Sequence, residues 1–133
     1  SEWYTQHTQD KRMAGDYGKM MAATPDEVVF NGKADQYKDH PLAARVGQRV
    51  RLYVVDAGPN LYSAFHVIGG MFAAVYPDGD PAHAQTGVST YPVAPGQGVV
   101  FDITFQQPGK YTFVDHSMRD MQIGAMGVIQ VAP

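Results

Sequence analysis

The sequence predicts an all-β, Greek-key β-sandwich preceded by an irregular N-terminal arm. Three observations predict it. Short apolar runs recur along the chain with Gly- and Pro-bearing turns between them, the pattern of a multi-stranded sandwich. The run Arg49–Val55 alternates strictly, with Val50, Leu52 and Val54 set between Arg49, Arg51 and Tyr53. That period of two belongs to a strand with one wet and one buried face. The 14 glycines and 9 prolines of the 133 residues are enough to turn the chain between about eight short strands.

The elements follow in order. Residues 1–27 are polar and lack strand alternation, so they are expected to form an arm or linker, with a short helix over 16–23 that stops before Thr24-Pro25. Residues 28–133 are expected to be the sandwich. Val28-Val29-Phe30 runs into Asn31-Gly32, a strong turn signal. Leu42 to Val46 reads as a short strand, and Gly47-Gln48 turns into Arg49–Val55. After the turn at 56–60, the short apolar run 64–68 is broken by Gly69-Gly70, and 71–76 resumes. The loop 77–81 precedes an extended 86–93. Pro95-Gly96 leads to 99–105, Gln107-Pro108-Gly109 leads to 111–114, and 126–131 closes the chain.

Bulk composition narrows the function classes. One domain's worth of chain, 44% hydrophobic and 17% charged, is globular rather than disordered. A net charge of -3 lacks the basic footprint of a nucleic-acid binder, so no nucleic acid is expected. No apolar run approaches the ~20 residues of a membrane span. No leader is visible at Ser1, so the chain is expected to be processed or part of something longer. With no cysteine, disulfides, zinc-thiolate sites and thiol catalysis are excluded, and so is the thiolate of a blue copper centre. No phosphate loop, paired-carboxylate motif or nucleophile elbow is present.

Two histidines sit in strand contexts: His66 within Ala64-Phe65-His66-Val67-Ile68-Gly69-Gly70, and His116 at the end of Tyr111-Thr112-Phe113-Val114-Asp115-His116. A strand-end imidazole is open to a partner, and neutral imidazole suits copper. The bland readings are a polar surface residue for His116 and a satisfied core histidine for His66. Alternation turns Asp115 away from His116. Met118, Met121 and Met126 near His116 read as interface packing rather than ligands. Arg49 and Arg51 are expected on a solvated sheet face, Asp78 and Asp80 in a loop. His7, His40 and His83 carry no signal of a role, and the last two are expected to be exposed.

The motifs Val29-Phe30-Asn31-Gly32, His40-Pro41-Leu42, Val46-Gly47-Gln48-Arg49-Val50, Phe65–Gly70, Pro95-Gly96, Gln107–Tyr111, Val114-Asp115-His116 and Gly124-Ala125-Met126-Gly127 occur in the order and spacing of a known family. The chain resembles the second, C-terminal cupredoxin domain of copper-containing nitrite reductases and related two-domain multicopper oxidases. That resemblance implies a trimer of two-domain subunits, in which the type 2 copper lies between subunits. It implies that His116 is the metal ligand contributed by the second domain. By the same resemblance, His66 is the active-site proton donor, Ile68 is the apolar residue crowding the open copper position, and Thr90 falls near the residue supporting the histidine. It further implies copper as cofactor, nitrite as substrate, a periplasmic or extracellular location, and no type 1 site in this chain. The first domain of the family is missing, so a homotrimer or a partner cupredoxin domain is expected to complete the site. Three copies of His116 meeting on a threefold axis is a variant of the same expectation. The alternatives are a metal-free cupredoxin-like oligomerisation module, a domain of a laccase-like oxidase (which usually carries His-X-His pairs, absent here) and, last, a Met/His copper carrier.

Overall fold

The computed structural model describes residues 1–10 and 12–133. The first 27 residues, expected to be irregular apart from a short helix, hold three short strands, a helix and the start of a fourth strand among the described residues. β1 (Glu2–Trp3) pairs antiparallel with β4 (Glu27–Val28), and β2 (Thr5–His7) forms a hairpin with β3 (Met13–Gly15). The helix α1 (Tyr17–Met21) starts where expected, because the Asp16 side chain accepts from Lys19 N at 2.9 Å and caps it. Lys19 Nζ then donates to the Thr5 carbonyl (2.8 Å) and to Asp26 (2.7 Å), closing the arm on itself.

Asn31 and Gly32 both take positive φ, 51° and 83°, and Phe30 bridges Lys33 across them. The Asn-Gly signal is thus the tight turn that the sequence predicts, since both residues tolerate that backbone region. Helix α2 (Gln36–Asp39), not foreseen from the sequence, leads directly into β5 (His40–Arg45). The remaining strands are β6 (Arg49–Val55), β7 (Ser63–Val67), β8 (Phe72–Pro77), β9 (Thr90–Val93), β10 (Gly98–Thr104), β11 (Gly109–Asp115) and β12 (Met126–Ala132). A second unforeseen helix, α3 (Met118–Gln122), occupies the polar turn after His116. Both helices are about one turn long, too short for hydrophobic periodicity to register.

The strands form two sheets of a Greek-key sandwich. One has the order β5-β12-β11-β7-β9, with β5 parallel to β12 and the other pairs antiparallel; the other has the order β6-β10-β8. Between them lies a core of Phe65, Val67, Phe72, Phe101, Ile103 and Phe113, with the rings of Phe72 and Phe101 4.6 Å apart. These residues alternate along their strands with outward ones, which is why a period of two was readable. The glycine break after β7 has a steric cause. Gly69 takes φ 79°, and a Cβ on Gly70 would lie 2.7 Å from Ile103 Cδ1.

Arg49 and Arg51 are exposed, as expected of a solvated face, but they also converge on one carboxylate. Asp102 on β10 has no exposed surface; Arg51 Nε and an Arg51 Nη reach its two oxygens at 2.8 Å each, and Arg49 pairs with it as well. Tyr76 Oη donates to it at 3.2 Å. Hydrogen bonds from Arg51 hold the Asp102 carboxyl well below the usual carboxylate range, and those from Arg49 add to this. No helix among the described residues is long and apolar enough to cross a membrane.

Candidate functional site

Strand register brings the two predicted histidines together. In the β11–β7 pair, Phe113 faces Val67, Val114 faces His66 and Asp115 faces Phe65. His116 N–H extends the ladder by donating to the Ala64 carbonyl at 2.9 Å. Phe65, Val67, Phe113 and Asp115 therefore point into the sandwich, and His66, Ile68, Val114 and His116 point out. His66 and His116 are diagonal neighbours across the strand pair, where side chains still reach each other. Their rings lie 5.3 Å apart, centre to centre, at 66°.

The neighbouring strand orients His66. Thr90 on β9 is its cross-strand partner, and the Ser89 carbonyl lies 2.7 Å from His66 Nδ1. A carbonyl only accepts, so Nδ1 carries the hydrogen and Nε2 is left as the exchangeable nitrogen. The Thr90 hydroxyl, 3.0 Å from the same Nδ1, shares that hydrogen. Thr90 thus stands where the sequence resemblance put it. The Ser89 carbonyl was invisible in the sequence, since a backbone oxygen leaves no residue-type signal.

His116 is exposed, and its imidazole makes no hydrogen bond among the described residues. Its backbone is held from both sides. Asp115, buried beneath it, accepts from Ala64 N and Ser117 N at 3.1 Å each. Asp115 N donates to the Ala125 carbonyl at 3.1 Å, which ties the strand end to the segment after α3. Gly124, at φ 126°, sits where a Cβ would meet Ala34 Cβ at 2.6 Å, so the Gly-Ala-Met-Gly step is a close backbone approach. The arm braces the same end. Glu2 accepts from Asn60 N (3.0 Å) and Leu61 N (2.7 Å) in the segment entering β7, and Arg119 of α3 donates to the Pro25 carbonyl (3.1 Å).

Two buried carboxyls lie behind the site, and the sequence reading missed both. Burial pushes the Asp120 carboxyl upward, opposed by a hydrogen bond from Ser117. Burial likewise raises Asp56, whose Oδ1 accepts from Gly58 N at 2.8 Å while Oδ2 is buried without a partner.

The surface around the histidines is largely apolar: Ala64, Ile68, Met126 and Val128 share that face with Pro92 over the buried Val114, with Thr90 and Thr112 among them. Ile68 is 47% exposed and Met118 56%. An outer sheet face of a free-standing sandwich normally carries polar side chains. Among the described residues no group of three or more His, Cys, Asp or Glu side chains is arranged to hold a metal ion. The imidazole pair suits copper as donor chemistry and falls short of the three or four ligands copper takes, so it fits as part of a set. His40 and His83 are exposed as expected, the latter 2.7 Å from Asp80.

The family model for multicopper oxidases matches residues 1–131. The chain belongs to the multicopper oxidase family. Within it, the chain is 42% identical over 118 residues to the copper-containing nitrite reductase of Neisseria gonorrhoeae, covering 87% of this chain and 30% of that protein. Among solved structures it is similar to the copper nitrite reductase of Nitrosomonas europaea, with a TM-score of 0.85 and 34% identity over 98% of this chain and 48% of that one. It is also similar to the copper-containing nitrite reductase of Thermus scotoductus, with a TM-score of 0.84 and 31% identity over 86% of this chain and 27% of that one. The chain spans about a third of the length of the curated relatives it matches. It is a cupredoxin domain of the kind found in these enzymes.

Proposed function

We propose that this chain is the second cupredoxin domain of a nitrite-reductase-like copper enzyme, with residues 28–133 as the sandwich and residues 1–27 as the arm that braces it. His116 is its ligand to a type 2 copper formed at an interface, and His66 and Ile68 are its active-site residues. The observation that carries this reading is the pair of outward imidazoles 5.3 Å apart, one oriented by the Ser89 carbonyl and the other without a partner among the described residues. The apolar surface around them supports a site completed by another chain, either a partner cupredoxin domain or further copies in a homotrimer. Relatives named as copper-containing nitrite reductases support copper and nitrite in particular; a periplasmic or extracellular location belongs to the same proposal.

Copper bound there would supply the one-electron chemistry that nitrite reduction requires. Taking nitrite to nitric oxide and water consumes one electron and two protons. His66 is placed to deliver protons. Its Nδ1–H stays on the Ser89 carbonyl, so Nε2 is the atom that gains and loses a proton. Ile68 presents an apolar wall on the same face and limits water beside the pair. His116 offers an imidazole on a strand end locked by Asp115.

The test is a Cu(II) titration followed by EPR, comparing the chain with His116→Ala. A type 2 signal that saturates near one copper per chain, or one per three chains, and vanishes in the variant supports the reading; the ratio separates a partner-completed site from a threefold one. A signal of adventitious copper unchanged by the variant overturns a site that copies of this chain complete by themselves, and makes the isolated chain a metal-free module whose chemistry depends on a partner domain.

A further inference from the structure

His66 carries the surroundings of a metal ligand as well as those of a proton donor. An imidazole that ligates a metal through one ring nitrogen commonly gives its other N–H to a backbone carbonyl or a carboxylate, which fixes the tautomer and the ring and makes it a better donor. His66 does this on the Ser89 carbonyl at 2.7 Å, with the Thr90 hydroxyl 3.0 Å from the same nitrogen. The exposed His116 ring has no such anchor among the described residues and is free to turn. The backbones beneath both rings are fixed. His116 N–H donates to the Ala64 carbonyl at 2.9 Å, and one oxygen of Asp115 accepts from Ala64 N and from Ser117 N. The spacing suits one metal ion. Metal–imidazole bonds of about 2.0–2.1 Å put each ring centre about 3 Å from the metal, and two rings in adjacent positions about 4.5–5 Å apart. The ring centres here lie 5.3 Å apart, inclined at 66°. A small rotation of the His116 side chain closes the difference.

We propose that in the single chain His66 and His116 together chelate one Cu(II) ion, through Nε2 of His66 and a ring nitrogen of His116, with water in the remaining positions. Cu(II) leads the divalent series at imidazole sites, and a tetragonal ion accepts two neighbouring nitrogens beside water. No third carboxylate or imidazole is arranged with the pair among the described residues, so the chain by itself supplies two ligands. The second imidazole binds as an intramolecular ligand, and the pair holds copper about a hundredfold more tightly than one histidine. The chelate goes beyond the proton-donor role of His66 and rests on the copper reading only for His116 as a ligand. Ligands arriving on a partner compete with His66 for the ion, and once they replace it Nε2 returns to proton delivery. The pair is then a loading site, holding copper on the chain before the interface closes.

Titration of the full chain with Cu(II) tests it, for the wild type, His66→Ala, His116→Ala and His83→Ala. Pulsed EPR counts the imidazoles on the bound copper, and sedimentation velocity gives the oligomeric state of the same samples. His83 is exposed and controls for adventitious copper, and cooperative urea unfolding shows that each variant folds. The expected result is one copper per monomer carrying two imidazoles, weakened about a hundredfold by either His66→Ala or His116→Ala and unaffected by His83→Ala. Copper bound only by an oligomer, a single imidazole on the ion, or His66→Ala binding as tightly as the wild type overturns the chelate. So does equal weakening by His83→Ala. If His66→Ala binds normally and His116→Ala alone abolishes binding, the interfacial reading stands without the chelate. If neither variant weakens binding, the chelate and a site completed by copies of this chain both fall.

Discussion

The outer faces of the two sheets solve the same problem in opposite ways. On the three-stranded sheet, Asp102 is fully buried, yet each of its oxygens is met by arginine and Tyr76 adds a third donor. That polar group is satisfied within the chain. On the five-stranded sheet, His66 has one nitrogen engaged and His116 none among the described residues, and the neighbours are apolar. That face is finished only by something else. The difference teaches where to look for chemistry: polar groups closed on themselves stabilise, and polar groups left open on an apolar surface are available to a partner.

If the comparison is right, breaking the closed face damages folding most. Asp102→Asn is expected to cost about 2 kcal/mol in urea unfolding, because charge-assisted hydrogen bonds are lost while the arginines still reach water. The same residue sets an acid limit. Its folded pKa lies below the unfolded value, so its stabilisation is complete above about pH 4 and disappears as pH falls through the folded value. The pH dependence of stability in that acidic window should therefore flatten in the variant. An unchanged acid limb would show that Asp102 is not the group titrating there.

Asp56 is the exception that sharpens the contrast, since it is buried with one oxygen unpaired. Asp56→Asn is expected to raise stability by about 1 kcal/mol at pH 7. Here the sign reverses. Burial raises the folded pKa, so the cost is present above that value and vanishes as pH drops below about 4. Thermal melts of both proteins should converge in acid. His66→Ala is expected to lose somewhat less, a few tenths to about 1 kcal/mol, for one half-exposed hydrogen bond. The smallest effect belongs to His116→Ala, within about 0.5 kcal/mol by the same urea assay. A large loss there would mean that His116 is part of the fold rather than an open group.

Much of the fold was legible in the sequence because strand alternation and turn chemistry are local. Arg49–Val55 matches β6 residue for residue, and Asn31-Gly32 makes its turn where expected. The one-turn helices α2 and α3 were not legible, being shorter than the pattern that reveals a helix. At the site, the residue types His66, Ile68, Thr90 and His116 were readable, and alternation correctly turned Asp115 inward. What could not be read was anything carried by backbone or long-range contact. The Ser89 carbonyl, the convergence of Arg49 and Arg51 on Asp102 some fifty residues away, and the unpaired oxygen of Asp56 all depend on which strands become neighbours.

The locking of Asp115 beneath His116 has a consequence for how such a domain can change over time. Adjacent residues of one strand face opposite ways, so inserting or deleting a single residue in β11 would exchange them. The carboxylate would move into water and the imidazole into the place where Ala64 N and Ser117 N await an acceptor. One indel would therefore remove the open imidazole and leave buried donors unmatched together. Point substitutions can tune this end of the sandwich one property at a time, whereas changes in β11 length meet a penalty in folding before any new chemistry can be tried.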